Sequence, residues 1–288
     1  MFQQSRPSAS VTRISEGKKL NHFLPANDGI GLHYEFWLPK STPMKRIMLC
    51  IPGYDSNTKY FKEFAMSMNA QGIGVYSFDL RGFGKSEGKA SVSQSLKDIK
   101  LFVRFIKEMH PDLPFHLLGH SVGAVAYAMQ YAIANPSEIS SLVLIAPATK
   151  IKFKIWFNHL LRSLGIPLQF KVIDPEAGDI KINKDGKPVR YSPFHVFDIG
   201  FNCNFRSYAR APHIGVPTFI VMSDERQDVI IHADDILRFA KRVPNKAIMG
   251  YNGAGHLVFT SFSPKVSDVY EEQRLQVYAD ISKWINGQ

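Results

Sequence analysis

The chain has 288 residues, 45% of them hydrophobic and 12% aromatic, and a net charge of +10. That is material for one large core, or a core with an insertion, and no apolar run reaches the length of a membrane-spanning helix. Two cysteines do not call for a disulfide scaffold, and no cluster of Cys, His and carboxylates has metal-ligand spacing. The basic balance fits an anionic surface or substrate, and no nucleic-acid motif accompanies it.

In chain order, residues 1–16 are polar, with Gln3, Gln4, Ser5, Pro7, Ser8 and Ser10, and lack the apolar stretch of a secretory signal. They read as a disordered leader on a cytoplasmic protein. A hairpin is expected from Leu20 to Leu38, turning at Asn27-Asp28-Gly29. Ile47 to Ile51 reads as a buried strand, and Cys50 as a small core residue within it. Phe61, Phe64, Ala65 and Met68 then give one helical face. Ile73 to Phe78 is the next strand. Leu96, Ile99, Val103 and Ile106 mark a helix stopped by Pro111. Phe115, Leu117 and Leu118 lead into Gly119-His120-Ser121-Val122-Gly123 and a small-residue helix, Ala124 to Ala134. Leu142 to Ala146 is a further strand.

Residues 150–212 break this rhythm. It resumes with a strand at Pro217 to Met222 and a helix at Ile236, Phe239, Ala240 and Val243. A strand at Ala247 to Tyr251 and a helix at Tyr278, Ile281, Trp284 and Ile285 follow. Such alternation predicts an α/β fold whose sheet is mostly parallel, with helices on both faces. The division is 17–149 and 213–288 for the core, with 150–212 inserted.

Gly119-His120-Ser121-Val122-Gly123 reads G-x-S-x-G between a strand and a helix, the setting of a nucleophile elbow. Side chains at the two glycines would collide with the neighbouring strand and helix, and the serine backbone would be strained. A serine hydroxyl needs a general base, and the base needs a third group to orient it. In such a sheet these sit in loops after strands. His256 closes Gly253-Ala254-Gly255-His256, just after the strand ending at Tyr251, and is the base candidate. His120 sits inside the elbow and is expected to pack. His22, His33, His110, His159 and His195 follow no core strand.

The loop after Met222, Ser223-Asp224-Glu225-Arg226-Gln227-Asp228, offers three carboxylates. Asp228, just before the apolar pair leading into the next helix, is preferred, with Asp224 the runner-up and Glu225 third. An oxyanion hole would take one N–H from Val122 and another from Ile51-Pro52-Gly53-Tyr54, where the Tyr54 N–H is the choice. No cofactor or metal is called for.

The order Ser121, Asp228, His256 is that of an α/β-hydrolase. Phe78-Asp79-Leu80-Arg81-Gly82-Phe83-Gly84-Lys85-Ser86-Glu87-Gly88 resembles the D-x-R-G-x-G-x-S-x-G loop of the monoglyceride lipase and lysophospholipase-like (serine aminopeptidase S33-type) branch. Its carboxylate reads as an acceptor for loop N–H groups, structural rather than catalytic. The resemblance runs from about Leu20 to the C-terminus, the insertion excepted. It implies an eight-stranded sheet, an insertion forming a cap over the site, and an ester hydrolase that uses a Ser-His-Asp triad and an acyl-enzyme. The chain departs from the pattern twice. Pro52-Gly53 stands where the family has His-Gly. Arg226 also falls at the family's place for the acid, so Asp228 implies a longer loop.

The insertion holds eleven lysines and arginines against five acids and so carries +6 of the +10. Ile151-Lys152-Phe153-Lys154-Ile155-Trp156-Phe157 interleaves cations with apolar and aromatic residues. This pattern suits either packing on the core or peripheral contact with an anionic membrane. Asn183-Lys184-Asp185-Gly186 reads as a hairpin turn. The substrate class expected is an acyl ester with a polar or anionic head, a lysophospholipid or monoacylglycerol. The open alternatives are a thioesterase, acyltransferase or peptidase using the same triad, or a non-catalytic lipid or protein binder. The oligomeric state is not readable.

Overall fold

The computed structural model describes residues 22–165, 173–174, 178–179, 192–224, 228, 230–260 and 268–288. The expected leader, the turn at Asn183–Gly186 and Glu225 lie outside the described residues. β1 (Phe23–Pro25) and β2 (Gly31–Trp37) form the hairpin, and the Ala26 N–H donates to the Ile30 carbonyl across its turn. β3 (Arg46–Ile51), α1 (Lys62–Ala70), β4 (Ile73–Phe78), α2 (Val92–Met109) and β5 (Phe115–His120) follow. A π-helical turn (Gly123–Ala128) continues as α3 (Met129–Ala134) and leads to β6 (Ser141–Ile145). Between β6 and the next core strand come α4 (Phe153–Ser163), the short pair β7 (Ile173–Asp174) and β8 (Gly178–Asp179), and α5 (Pro193–Phe201). A second π-helical turn (Asn202–Arg206) and α6 (Ser207–Arg210) complete that excursion. β9 (Thr218–Met222), α7 (Ala233–Ala240), β10 (Lys246–Gly250) and α8 (Asp268–Asn286) close the fold.

Eight strands form one sheet in the order β1-β2-β4-β3-β5-β6-β9-β10. β2 pairs antiparallel with both β1 and β4, and the run β4-β3-β5-β6-β9-β10 is parallel throughout. The central strands are buried on both faces, so they read as continuous apolar runs. Their side chains still alternate. Ile47, Leu49 and Ile51 of β3, with Leu142 and Leu144 of β6, face a core shared with Ile99 and Phe102 of α2 and Phe239 of α7. Met48, Cys50, Val143 and Ile145 face the opposite core, with Phe64 and Met68 of α1 and Tyr278 and Ile281 of α8. The period of two along each strand thus supplies both helix layers. Cys50 and Cys203 are buried free thiols.

The loop after β4 is organised by Asp79, which is buried. Its carboxylate accepts the Thr58 and Lys85 N–H groups, each at 2.8 Å, and pairs with His33 Nδ1 at 2.9 Å. A methyl group at Gly84 would lie 2.3 Å from the Asp79 Oδ2, so only glycine permits this approach. Arg81, also buried, makes a bidentate pair with Asp98 and reaches Asp28 in the hairpin turn. The glycine-rich loop is therefore a brace between hairpin, α2 and the loop before α1. Asp79→Ala strands the buried Thr58 N–H and the part-buried Lys85 N–H and leaves His33 without the Asp79 carboxylate. It should lower unfolding free energy by about 3 kcal/mol or more, read from denaturant titration, and unchanged stability would refute the bracing role.

Candidate active site

Ser121 follows β5 directly and has φ +56°, a conformation that costs a non-glycine residue roughly 1–3 kcal/mol. The surroundings hold it there. Its N–H donates to the Ile145 carbonyl of β6 at 2.9 Å, and its own carbonyl accepts the Ala124 and Ala148 N–H groups. The flanking glycines are sterically required. A methyl group at Gly119 would lie 2.5 Å from the Ala124 Cα, and one at Gly123 would lie 2.3 Å from the Pro52 carbonyl oxygen. The sharp turn and the close approach of the β3 loop therefore both depend on absent side chains.

His256 and Asp228 meet this serine although 135 and 28 positions separate His256 from its two partners. His256 Nδ1 lies 2.9 Å from Asp228 Oδ2 and its Nε2 lies 2.8 Å from the Ser121 hydroxyl. With Nδ1 donating to the carboxylate, the neutral ring presents an unprotonated Nε2, which accepts the serine O–H. All three side chains are buried.

Asp228 is held by more than the imidazole. Oδ1 accepts the Ile230 and Ile231 N–H groups at 2.9 and 3.0 Å, and Oδ2 also accepts the Ser223 hydroxyl. Burial pushes its carboxyl up, but His256, the Ser223 hydroxyl and the Ile231 N–H outweigh that and bring it down to about 2. Asp224 does something else. Its Oδ2 accepts the Gly253 N–H at 2.9 Å, its N–H donates to the Ala254 carbonyl and its carbonyl accepts the Asp228 N–H. It braces the acid loop against the loop carrying His256.

Two supporting groups have no local sequence signal, and a third, His120, packs as its place in the elbow predicts. The Ser223 hydroxyl, at the end of β9, reaches Asp228 only because the loop folds back. The Lys152 ammonium, from the insertion, donates to the Asp228 carbonyl at 3.0 Å. His120 packs against the ring of Phe259 and donates from Nε2 to the His256 carbonyl at 2.9 Å. Burial, then the nearby His256, lowers His120 to about 3, so it is neutral and structural.

The loop after β3 lies against the elbow, with the Gly53 Cβ position 3.2 Å from Ser121 Cβ. Tyr54 follows, and Val122 is buried in helical geometry directly after the serine. The Tyr54 ring lies parallel to His195 of α5 at 5.7 Å and edge-on to His159 of α4 at 4.8 Å. Burial lowers both histidines to about 4. Their sequence positions gave no link to this loop; the insertion carries them there. Among the described residues no cluster of His, Cys, Asp and Glu has a metal-holding arrangement.

Comparison with known proteins places the chain in a family. A family profile described as serine aminopeptidase, S33, matches residues 42–181. The chain is 33% identical over 287 residues to monoglyceride lipase of Mus musculus, covering 93% of this chain and 90% of that one. The chain belongs to the monoglyceride lipase family. It is thereby an α/β-hydrolase and a serine ester hydrolase. A monoacylglycerol lipase of Mycolicibacterium smegmatis matches at 30% identity over 131 residues, spanning 44% of this chain and about half, 46%, of the relative's length. Among solved structures, a soluble variant of monoglyceride lipase from Saccharomyces cerevisiae superposes with a TM-score of 0.72 at 19% identity. That superposition covers 90% of this chain and 92% of the other. No helix among the described residues is long and apolar enough to cross a membrane.

The depressed Asp228 carboxyl links stability to pH. Its folded value lies below the ordinary 3.8, so its contribution is present above that value and is lost as pH falls towards about 2. About 2 kcal/mol of unfolding free energy should disappear over that window. The Asp228→Asn variant should lack this component when stability is followed against pH, and an identical pH curve would contradict the assignment.

Proposed function

We propose that this chain hydrolyses carboxylic esters of a lipid-like acyl substrate, a monoacylglycerol or lysophospholipid, through Ser121, His256 and Asp228. The observation that carries the reading is the unbroken hydrogen-bond chain from Asp228 through His256 to the strained Ser121. Ser121 Oγ attacks the acyl carbonyl while His256 Nε2 takes its proton. Asp228 keeps the imidazole in the tautomer that leaves Nε2 free and stabilises the imidazolium once it forms. The backbone N–H groups of Val122 and Tyr54 receive the oxyanion, each lowering the barrier by about 3 kcal/mol. His256 then protonates the leaving alcohol, and the acyl-enzyme forms. Water, activated by the same imidazole, attacks it and regenerates the serine.

In this reading residues 150–212 are a cap over the site. Support comes from α4 and α5, whose His159 and His195 rest on the Tyr54 ring. The cap also meets an anionic membrane peripherally. Seven large apolar side chains on α4, α5 and their flanks are exposed, from Phe157 at 41% to Phe194 at 85%, among the insertion's cations. A patch of this kind on a soluble core marks an interaction surface. The two buried free thiols fit a reducing, cytoplasmic setting. The names of the relatives favour monoacylglycerol among the neutral head groups.

A fluorophosphonate probe should label Ser121, and Ser121→Ala should abolish labelling; labelling elsewhere, or none, defeats the triad. Asp228→Asn should reduce kcat by about 10⁴, whereas Asp224→Asn, which keeps an oxygen acceptor for the Gly253 N–H, should not approach that loss. The reverse pattern moves the acid to Asp224. Hydrolysis of p-nitrophenyl esters, monoacylglycerols, lysolipids and acyl thioesters by the full chain identifies the substrate class. Preference for the thioester would replace the ester reading.

A further inference from the structure

The loop that carries the Tyr54 N–H has little of its own to hold it. Pro52 has no N–H, and neither Pro52 nor Gly53 has a polar side chain. The turn that follows closes through a long bond, from the Ser56 N–H to the Gly53 carbonyl at 3.4 Å. Asp55 has φ +57°, in the left-handed region that a non-glycine residue keeps only where its surroundings hold it. A hydrogen-bond donor to a developing charge must nevertheless be fixed in advance, because a displacement of about 1 Å removes most of its effect.

The surroundings come from the insertion. His159 and Arg162 stand three positions apart on α4, hence on one face, and meet successive residues of the loop. His159 lies edge-on to the Tyr54 ring at 4.8 Å, and Arg162, its side chain 16% exposed, brings its guanidinium to 4.0 Å from the Asp55 carboxylate. From α5, His195 lies 16° from parallel to the same ring at 5.7 Å. From the core, Phe83 of the glycine-rich loop meets that ring edge-on at 5.3 Å. His195 is buried, and neither of its ring nitrogens has a hydrogen-bond partner among the described residues. It therefore acts on Tyr54 as a flat ring, by stacking. The two helices are themselves locked together. Trp156 Nε1 of α4 donates to the Val196 carbonyl of α5 at 3.2 Å, and a methyl group at Gly200 would lie 2.4 Å from that nitrogen.

We propose that His159, Arg162 and His195 are positioning residues, which hold Tyr54-Asp55 in the conformation that aims the Tyr54 N–H at the oxyanion. The inserted segment thus completes the oxyanion hole as well as covering the site. The inference rests on the donor role given to Tyr54 above and adds what keeps that donor in place. The Val122 N–H belongs to the elbow and does not depend on these contacts, so their loss costs one donor of the two.

The test is turnover of p-nitrophenyl butyrate, a short soluble ester, by the full chain. His195→Ala and Arg162→Ala should each lower kcat about ten-fold or more, with KM within about two-fold and the melting temperature unchanged. The double variant should lose about 10²- to 10³-fold, the effect of one oxyanion donor, and no more. His195→Phe, which keeps a flat ring without nitrogens, and Arg162→Lys, which keeps the charge, should each return kcat to within about three-fold of the wild type. If His195→Phe is as impaired as His195→Ala, the imidazole nitrogens act on the substrate and the positioning role is refuted. Alanine variants that match the wild type, or that lose activity only through a raised KM or a lost fraction of folded protein, also overturn it. In each of these cases an active wild type leaves the hydrolase reading standing, whereas a wild type inactive on every ester removes both.

Discussion

Everything at the site depends on one buried carboxylate remaining ionised. Asp228 is 2% exposed, which by itself favours the neutral acid. Donors on every side reverse that preference: His256, the Ser223 hydroxyl and the Ile230 and Ile231 N–H groups. Only an ionised Asp228 fixes the imidazole with Nδ1 protonated, and only that tautomer leaves Nε2 able to accept from Ser121. Ser223, Asp224, Lys152 and His120 all act on the loops that carry the acid and the base. The arrangement of Ser121, His256 and Asp228 is thus the product of a polar network spread over the β9 and β10 loops, the elbow and the insertion.

Sterics supply the second constraint. The serine is strained, and the elbow closes only because Gly119 and Gly123 present no side chain to the Ala124 backbone and the Pro52 carbonyl. The close approach that demands Gly123 also brings the β3 loop beside Ser121, so Ser121 and the loop leading to Tyr54 are positioned by the same contact. The parallel sheet places the loops after β3, β5, β9 and β10 at one edge, where these pieces meet.

Most of this was legible in the chain. Strands β3, β4, β5, β6 and β9 fall within a residue or so of their apolar runs, because strands buried on both faces leave a continuous hydrophobic signature, and the exposed edge strand β10 lies one residue before its expected run. The helix after β9 is shorter than its apolar pattern: Val243 is buried but lies past the end of α7, packing from a turn. The elbow was visible because its steric demands write glycine into fixed places. The acid was harder. Three carboxylates share one loop, and the direction each side chain takes depends on how that loop folds over Ile230 and Ile231, which no local pattern encodes. Lys152, His159 and His195 could not be found at all. They reach the site through the packing of α4 and α5, and tertiary placement of an inserted segment leaves no periodic trace near the residues it touches.

In the proposed reaction Ser121, His256, Asp228 and the N–H groups of Val122 and Tyr54 form one reaction centre. A crystal structure of the chain inactivated by an alkyl phosphonate tests this. Phosphorus should be bonded to Ser121 Oγ, with the phosphoryl oxygen within hydrogen-bond reach of both backbone N–H groups and the His256–Asp228 pair intact beside it. An adduct on another residue, or a phosphoryl oxygen turned away from Val122 and Tyr54, would contradict it.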